Sequence, residues 1–273
     1  MAFVCFKKVY EAGLVHVKWR YRGACLKMNV ERLYSQIVVE LEKKADTEGV
    51  EREMYYHKTV GEGFKAYGIS APEFYEIAKK YRSTFKRLNF EERVALAERF
   101  FRSGYGGQMS FGIALLKLNV KEMRLSDFGV LEMVGDCLNN WGSTDGFCTD
   151  VLQPLLLMCP EEVLKILRRW NESQSLWKRR ASVVAFTRKI GESGKFTKEA
   201  LELCDRLIWD KEDYVRKGVG WALKDVMRGN KKRVLEYVKG LRRKGVPSVI
   251  TLYAIRDLEG MERKEVLDVK RQA

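Results

Sequence analysis

The chain has 273 residues, 46% of them hydrophobic and 32% charged, which is typical of a folded globular protein with one large or two small domains. It carries 51 lysines and arginines against 37 acidic residues, a net charge of +14, and residues 174–273 hold 25 basic and 14 acidic residues, a net of +11. This excess favours a polyanion such as nucleic acid, or an anionic membrane surface, as partner.

The cysteines and histidines do not favour a metal site. No two cysteines form a CxxC pair, and only His16 and His57 are available to join them. We expect free thiols in a reducing cytosol, no metal and no cofactor. No apolar run approaches the ~20 residues that cross a bilayer, and no signal peptide is apparent. The predicted location is therefore cytoplasmic, associated with the nucleoid, or nuclear if the source is a eukaryote.

Apolar residues recur at helical spacing along most of the chain. Residues 1–28 lack a clear period, and we expect them to be a loosely attached leader or an artefact of start-site choice, followed by a single domain over 29–273. In chain order, the spacing predicts helices at 30–45, 72–82, 90–103, 160–170, 197–209 and 231–245. Thr197 is the predicted N-cap of the fifth of these helices.

A repeat organises these elements. Residues 177–186, "WKRRASVVAF", align with residues 214–223, "YVRKGVGWAL", at an offset of 37, and steps of 36 lead back to two further aromatics. The four aromatics that open successive units are Tyr105, Trp141, Trp177 and Tyr214. Each unit has room for one antiparallel helix pair. We therefore predict an all-α fold, a right-handed α-solenoid of HEAT-like helix pairs whose second helices line a concave basic groove.

In this register Asp145, Arg180 and Trp221 occupy one stripe on three successive helices. Simpler interpretations exist for each residue, since a tryptophan is often core, a lone aspartate is usually solvated, and an arginine can belong to a solvated basic face. Their coincidence on one stripe in the basic half of the chain favours a functional site.

At these residues the sequence resembles the AlkD-type DNA alkylation repair glycosylases, which are HEAT-like solenoids. The resemblance runs from about residue 30 to 245, and the ordered set of motifs is more specific than any single one. The motifs are "YGISAPEF" (67–74), "NWGSTD" (140–145), "WKRRA" (177–181) and "RKGVGWAL" (216–223). Two departures are Gly142, which a helix interior disfavours, and the lack of an Arg-rich turn after the last repeat.

The resemblance implies a role for each matching residue. Trp141 and Trp221 would pack against the deoxyribose of the lesion, Asp145 would be the catalytic carboxylate, and Arg180 would hold backbone phosphate. Similar enzymes are monofunctional glycosylases that remove 3-methyladenine and 7-methylguanine without flipping the base into a pocket. The implied partner is double-stranded DNA with alkylated bases, bound by a monomer. The residues predicted to bind the DNA backbone are Lys178, Arg179, Arg180, Arg216 and Lys217, with Lys224, Arg242 and Arg243 as further candidates.

Two alternatives stay open. A non-catalytic HEAT-repeat module could use the same basic face to bind nucleic acid or an acidic protein. A related enzyme could act on a different or bulkier adduct. Helix-hairpin-helix glycosylases are disfavoured, because the chain has neither their Gly-rich hairpin before a catalytic aspartate nor an iron-sulfur cysteine cluster, and phosphate-loop and dinucleotide motifs are also absent.

Overall fold

The computed structural model describes residues 24–56 and 63–271, and within these ranges the chain is almost entirely helical. Its helices are α1 (Ala24–Lys43), α2 (Thr47–Tyr56), α3 (Ala71–Arg87), α4 (Phe90–Arg102), α5 (Gly106–Asn119), α6 (Gly129–Cys137), α7 (Trp141–Phe147), α8 (Gln153–Met158), α9 (Pro160–Asn171), α10 (Leu176–Val184), α11 (Arg188–Glu192), α12 (Thr197–Arg206), α13 (Asp213–Gly229), α14 (Lys231–Lys244), α15 (Ser248–Ala254) and α16 (Gly260–Leu267). A 3₁₀ turn covers Leu125–Asp127, and a π-helical turn over Cys148–Leu152 joins α7 to α8. Among the described helices, none is long and apolar enough to span a bilayer.

The six helices predicted from apolar spacing are confirmed as α1, α3, α4, α9, α12 and α14. Local signals explain some boundaries. At the start of α4, the Asn89 side chain accepts the Glu92 N–H at 2.9 Å, and the Glu92 carboxylate accepts the Asn89 N–H at 2.9 Å, which completes a capping box. The predicted cap of α12 is wrong: Thr197 is its first residue, and the hydroxyl donates to the Gly194 carbonyl at 2.8 Å instead of accepting a helix N–H.

The repeat is also confirmed. Tyr105 immediately precedes α5, Trp141 begins α7, and Trp177 and Tyr214 are the second residues of α10 and α13. Pairs form where α4 packs on α5, α9 on α10 and α12 on α13. The second helices also contact one another in series, from α5 to α7, α10, α13 and α15. This arrangement is the predicted α-solenoid, and it brings the starts of the second helices together.

Aromatic residues fill the core from one unit to the next. Phe101 packs edge-on against Phe147 at 6.3 Å, and Phe147 lies 6.4 Å from Trp170, with all three side chains almost fully buried. Glycine allows this close packing. A Cβ on Gly112 would lie 2.7 Å from the Phe101 ring, and one on Gly135 would lie 2.6 Å from Trp170.

The domain prediction is only partly covered by the described residues. Of the predicted leader at 1–28, residues 1–23 lie outside them, whereas residues 24–28 belong to α1. From α1 to α16, buried residues of every helix except α2 belong to one hydrophobic cluster, which extends to Val266 in α16.

Candidate active site

The first part of the site is the start of α7. The Asn140 side chain caps this helix by accepting the Ser143 N–H at 2.8 Å, which fixes the helix start one residue later at Trp141. Gly142 is therefore the second residue of a helix and not an interior residue, so the helix-propensity cost expected for it is reduced. A Cβ at this position would lie 3.3 Å from the capping oxygen of Asn140. The Trp141 side chain is 39% exposed at this helix start.

One turn later, Asp145 forms a bidentate ion pair with Arg180 of the next unit. The Arg180 Nε donates to Asp145 Oδ1 at 2.9 Å, and Nη2 donates to Oδ2 at 2.8 Å. The Arg180 Nη1 also donates to the Tyr214 carbonyl at the start of α13, at 2.6 Å. The side chains of Arg180 and Asp145 are 7% and 13% exposed. The structure thus brings together two of the three residues of the predicted stripe, in a geometry that fixes the carboxylate.

Burial has the largest effect on the pKa of the Asp145 carboxyl group. Desolvation raises the pKa of Asp145 above its usual range, although the charge and hydrogen bonds of Arg180, and the charge of Arg188, lower it. Three residues along the chain, burial and the Asp145 charge raise the pKa of the Cys148 thiol well above its ordinary value. Cys148 is therefore an inert, protonated thiol that packs in the core.

Trp221 is half-buried on α13, and the guanidinium of Arg188 lies 5.7 Å from the centre of its ring. Arg188 is exposed and is not predictable from the sequence, because nothing in "FTRKIG" separates it from an ordinary surface arginine. Trp177, in contrast, is buried and packs on Tyr214 with ring centres 5.4 Å apart. Trp177 is a core residue, as expected for an aromatic that opens a HEAT helix.

The basic residues predicted to bind the DNA backbone have different surroundings. The Lys178 ammonium lies 2.5 Å from Asp136, and Arg179 donates to Asp210 at 2.6 Å. Both side chains are nearly buried, with exposures of 12% and 13%. Their role in DNA binding stays a prediction, but each charge is already paired inside the protein.

Arg216 and Lys217 lie in the first two turns of α13, and Arg216 is half-buried and donates to the Asp210 carbonyl at 2.5 Å. Lys217 is exposed and forms an ion pair with Asp213, one helical turn before it, at 2.6 Å. Among the predicted backbone contacts, Lys217 therefore has the ammonium group that solvent reaches most freely.

The N-terminal part of the chain also reaches this site. The Tyr214 hydroxyl donates to the carbonyl of Tyr56, the last residue of α2, at 3.3 Å. The side chains of Tyr55 and Tyr56 are 62% and 71% exposed. This approach of α2 to α13 was not predicted, because the sequence between 46 and 71 gave no helical signal strong enough to place it.

Metal-ligating residues are not clustered in the part of the chain that the structure describes: no group of three or more His, Cys, Asp or Glu could hold an ion there. Cys137, Cys148, Cys159 and Cys204 are free thiols, as expected for these four.

Comparison with known families decides the context of this site. A family model described as "DNA alkylation repair enzyme" matches residues 37–258, most of the chain. The chain belongs to this family. The matched range includes Trp141, Asp145, Arg180 and Trp221, so the whole candidate site lies within the part of the chain that the family model matches. A search of curated proteins finds no match.

Two solved structures share its fold. One is a predicted DNA alkylation repair enzyme from Enterococcus faecalis, with a TM-score of 0.65 and 16% identity, covering 79% of this chain and 97% of that chain. The other is the Pseudomonas fluorescens alkylpurine DNA glycosylase AlkC, bound to DNA that contains an abasic site analogue. Its TM-score is 0.55 at 15% identity, over 90% of this chain and 69% of that chain. At such low identity these similarities establish the fold.

Proposed function

We propose that this family member is a monofunctional DNA glycosylase that hydrolyses the N-glycosidic bond of purines alkylated at N3 or N7, chiefly 3-methyladenine and 7-methylguanine, in duplex DNA. The observation that carries the proposal is the largely buried Asp145 carboxylate, which Arg180 fixes through two hydrogen bonds of 2.9 and 2.8 Å beside the exposed Trp141. Membership of the DNA alkylation repair enzyme family supports it. The similar fold of an alkylpurine DNA glycosylase adds to that support.

The chemistry of these lesions needs few catalytic groups. A purine alkylated at N3 or N7 is already cationic, so it leaves without protonation and no general acid is required. As the bond breaks, positive charge moves onto the sugar in an oxocarbenium-like transition state. A fixed carboxylate stabilises that charge and orients the attacking water, as in glycoside hydrolysis. Asp145 is the residue proposed for both tasks, and water attack leaves the strand intact at an abasic site.

Arg180 leaves part of the carboxylate available for this role. An ionised carboxylate offers about four lone-pair positions, and Arg180 occupies one on each oxygen. The Asp145 side chain is 13% exposed, which is the access that the sugar and water would use. All three kinds of Arg180 nitrogen already donate within the protein, including Nη1 to the Tyr214 carbonyl. We therefore assign Arg180 chiefly to orienting Asp145, and only its remaining N–H groups to a phosphate.

Trp141 and Trp221 are the aromatic residues proposed to contact the deoxyribose. Indole faces have negative electrostatic potential and attract cations, so they stabilise the same developing charge as Asp145 and exclude water from it. The exposure of Trp141, 39%, supports an open site at the protein surface. Such a site supports excision without insertion of the base into a pocket, in contrast to most glycosylases.

We propose that DNA binding rests mainly on phosphate contacts, which give affinity without sequence specificity. Lys217 is the best-exposed of the predicted contacts, whereas Arg179 is paired with a buried Asp210. Lys217→Gln should therefore lower the slope of log affinity against log salt by about 1. Arg179→Gln should leave the slope unchanged and lower the melting temperature. Fluorescence anisotropy over a salt series with a labelled duplex measures both, and equal slopes for the two variants would contradict the assignment.

The function is tested by incubating the protein with duplex DNA methylated at random and separating the released bases by chromatography. Release of 3-methyladenine and 7-methylguanine, with no strand cleavage on a sequencing gel, is the expected result. A protein that binds the duplex and releases no base would instead be a non-catalytic HEAT-repeat module, the main alternative. Release of only larger alkyl adducts would identify an enzyme for bulkier lesions.

A further inference from the structure

Arg188 has an unusual backbone conformation. Its φ angle is 54°, and no other non-glycine residue in the described part of the chain has a positive φ. Residues other than glycine, asparagine and aspartate rarely adopt this left-handed region, and they keep it only where the surrounding structure enforces it. Residues in such conformations concentrate at binding and catalytic sites. We therefore expect a contact that enforces the conformation of Arg188, and a function for the side chain that it positions.

The cause is a buried acid on α13. Asp225 is 1% exposed, and its Oδ2 accepts the Arg188 N–H at 2.6 Å. Its other carboxylate oxygen lies 3.1 Å from the Lys224 ammonium. The helices α11 and α13 touch here at backbone distance, since a Cβ on Gly191 would lie 2.8 Å from the Asp225 carbonyl carbon. Asp225 thus satisfies the first N–H of α11 and holds Arg188 where that helix begins.

The spacing of residues on α13 shows what the conformation of Arg188 positions. Trp221 and Asp225 are four residues apart, so they share one face of the helix. Arg188 bridges that face: its backbone binds Asp225, and its guanidinium lies 5.7 Å from the centre of the Trp221 ring. Asp225 therefore determines where the Arg188 charge is placed relative to the proposed sugar-binding tryptophan.

The Arg188 charge differs from the other cations of the site in its pairing. Arg180 donates to Asp145 and to a main-chain carbonyl, and Arg179 is bound to Asp210. Within residues 24–56 and 63–271, no carboxylate forms an ion pair with Arg188, which is exposed. Its guanidinium still acts electrostatically on the site, since it lowers the pKa of Asp145. It is an exposed cation on the Trp221 ring, and its charge reaches the proposed catalytic group.

We propose that Arg188 binds a phosphate of the DNA backbone next to the lesion, and that Asp225 is a positioning residue that holds Arg188 in the left-handed conformation required for this contact. A guanidinium offers a planar fork of N–H donors that matches two phosphate oxygens. The phosphate would occupy donors that the protein leaves open, while Trp221 supports the guanidinium from its ring face. This inference rests on the proposed DNA glycosylase function and assigns one more contact to it.

The experiment measures the salt dependence of affinity for a duplex with one tetrahydrofuran abasic site, a probe that the enzyme does not consume. Arg188→Gly removes the guanidinium and suits the positive φ, so the fold is kept. Its slope of log affinity against log salt should be smaller than that of the wild type by about 1. The matched control is Lys165→Gln, which removes one charge from an exposed position on α9, the first helix of the α9–α10 pair. This variant should keep the wild-type slope.

Asp225 is tested by coupling. In the wild-type background, Asp225→Ala should lower the slope of log affinity against log salt. In the Arg188→Gly background the same substitution should leave the slope unchanged, because both substitutions remove the same phosphate contact. Asp225→Asn, which keeps an acceptor oxygen for the Arg188 N–H, should restore most of the wild-type slope. Should the alanine variant not fold, amide hydrogen exchange of the wild type takes its place: the Arg188 N–H should be protected, although first-turn N–H groups of helices usually lack a partner.

Three results would overturn the inference: an Arg188→Gly slope equal to that of Lys165→Gln, an additive effect of Asp225→Ala, or an Arg188 amide that exchanges as freely as one in an unfolded chain. The wild-type protein distinguishes this failure from that of the proposed function. A wild type that releases no base from methylated duplex refutes the glycosylase proposal itself. A wild type that releases base while Arg188→Gly matches the control refutes only the role of Arg188.

Discussion

Replacing Asp145 with asparagine removes the negative charge of the proposed site with little change in shape. The asparagine oxygen still accepts one hydrogen bond from Arg180, where the carboxylate accepts two, at 2.9 and 2.8 Å. What is lost is the charge that faces the developing oxocarbenium ion. Removing one preorganised electrostatic group raises a barrier by about 2.7 to 4 kcal/mol. Since about 1.4 kcal/mol is a factor of ten in rate, excision should fall by roughly a hundredfold to a thousandfold.

The substitution also affects stability, and the assay must separate the two effects. Breaking a buried ion pair costs about 3 to 5 kcal/mol when one charge is left without a partner. The 7% and 13% exposures place this pair in that class, while the hydrogen bond that asparagine keeps reduces the loss. Circular dichroism melting locates the unfolding transition of Asp145→Asn. Single-turnover release of 7-methylguanine is then measured well below that temperature, with enzyme in excess, together with duplex affinity, which should be nearly unchanged.

Asp150→Asn is the matched control. Asp150 lies on the same helical segment and pairs with Lys117 at 3.0 Å, but this pair is at the surface, with side-chain exposures of 36% and 60%. Exposed pairs contribute about 0 to 1 kcal/mol, so Asp150→Asn should match the wild type in rate. Excision by Asp145→Asn within threefold of that control would show that the carboxylate has no part in the chemistry.

Further predictions concern pH and packing. Only ionised Asp145 stabilises the sugar cation, and burial raises its pKa, so the excision rate should decline on the acid side with a midpoint above the ~3.9 of an ordinary aspartate. Arg180→Gln removes a charge and hydrogen bonds that lower this pKa, so the midpoint should move to higher pH; an unmoved midpoint would exclude Asp145 as the titrating group. Gly220→Ala should destabilise the fold by about 1 to 3 kcal/mol, because its Cβ would lie 2.6 Å from the Tyr253 Cβ. Gly240→Ala has no atom within 4 Å of the new Cβ and should raise stability, by about 0.5 to 1 kcal/mol. Thermal denaturation compares the two, and equal shifts would refute the packing argument.

Features that repeat along the chain were predictable from sequence. Apolar spacing located the long helices, and the offset of 36 to 37 residues placed Asp145 and Arg180 on facing helices, where the structure has them paired. A repeat of constant length fixes the register of neighbouring helices, so one alignment of motifs determines which side chains meet. Gly142 was unexplained in the sequence because the helix start at Trp141 depends on the capping bond from Asn140.

Features that depend on single tertiary contacts were not predictable. Lys178 and Arg179 read as free cations in "WKRRA", and only the fold brings Asp136 and Asp210 against them. Arg188 could not be found by pattern, because its position depends on a left-handed backbone angle and on Asp225, 37 residues away. Spacing identifies which helix faces meet, whereas the pairing of each charge requires the actual distances.

The position of Arg180 links the proposed catalytic carboxylate to the shape of the whole molecule. From α10 it reaches back to a carboxylate on α7 and forward to a carbonyl at the start of α13, so one side chain joins three consecutive units. The distance between those two acceptors is set by the pitch and curvature of the superhelix and by no single helix pair. Because the curvature of a solenoid follows from small rotations between neighbouring repeats, bending changes the contacts between units. If the proposed DNA binding bends the solenoid, the hydrogen bonds from Arg180 to Asp145 would change, and with them the charge that the proposed site offers to a lesion.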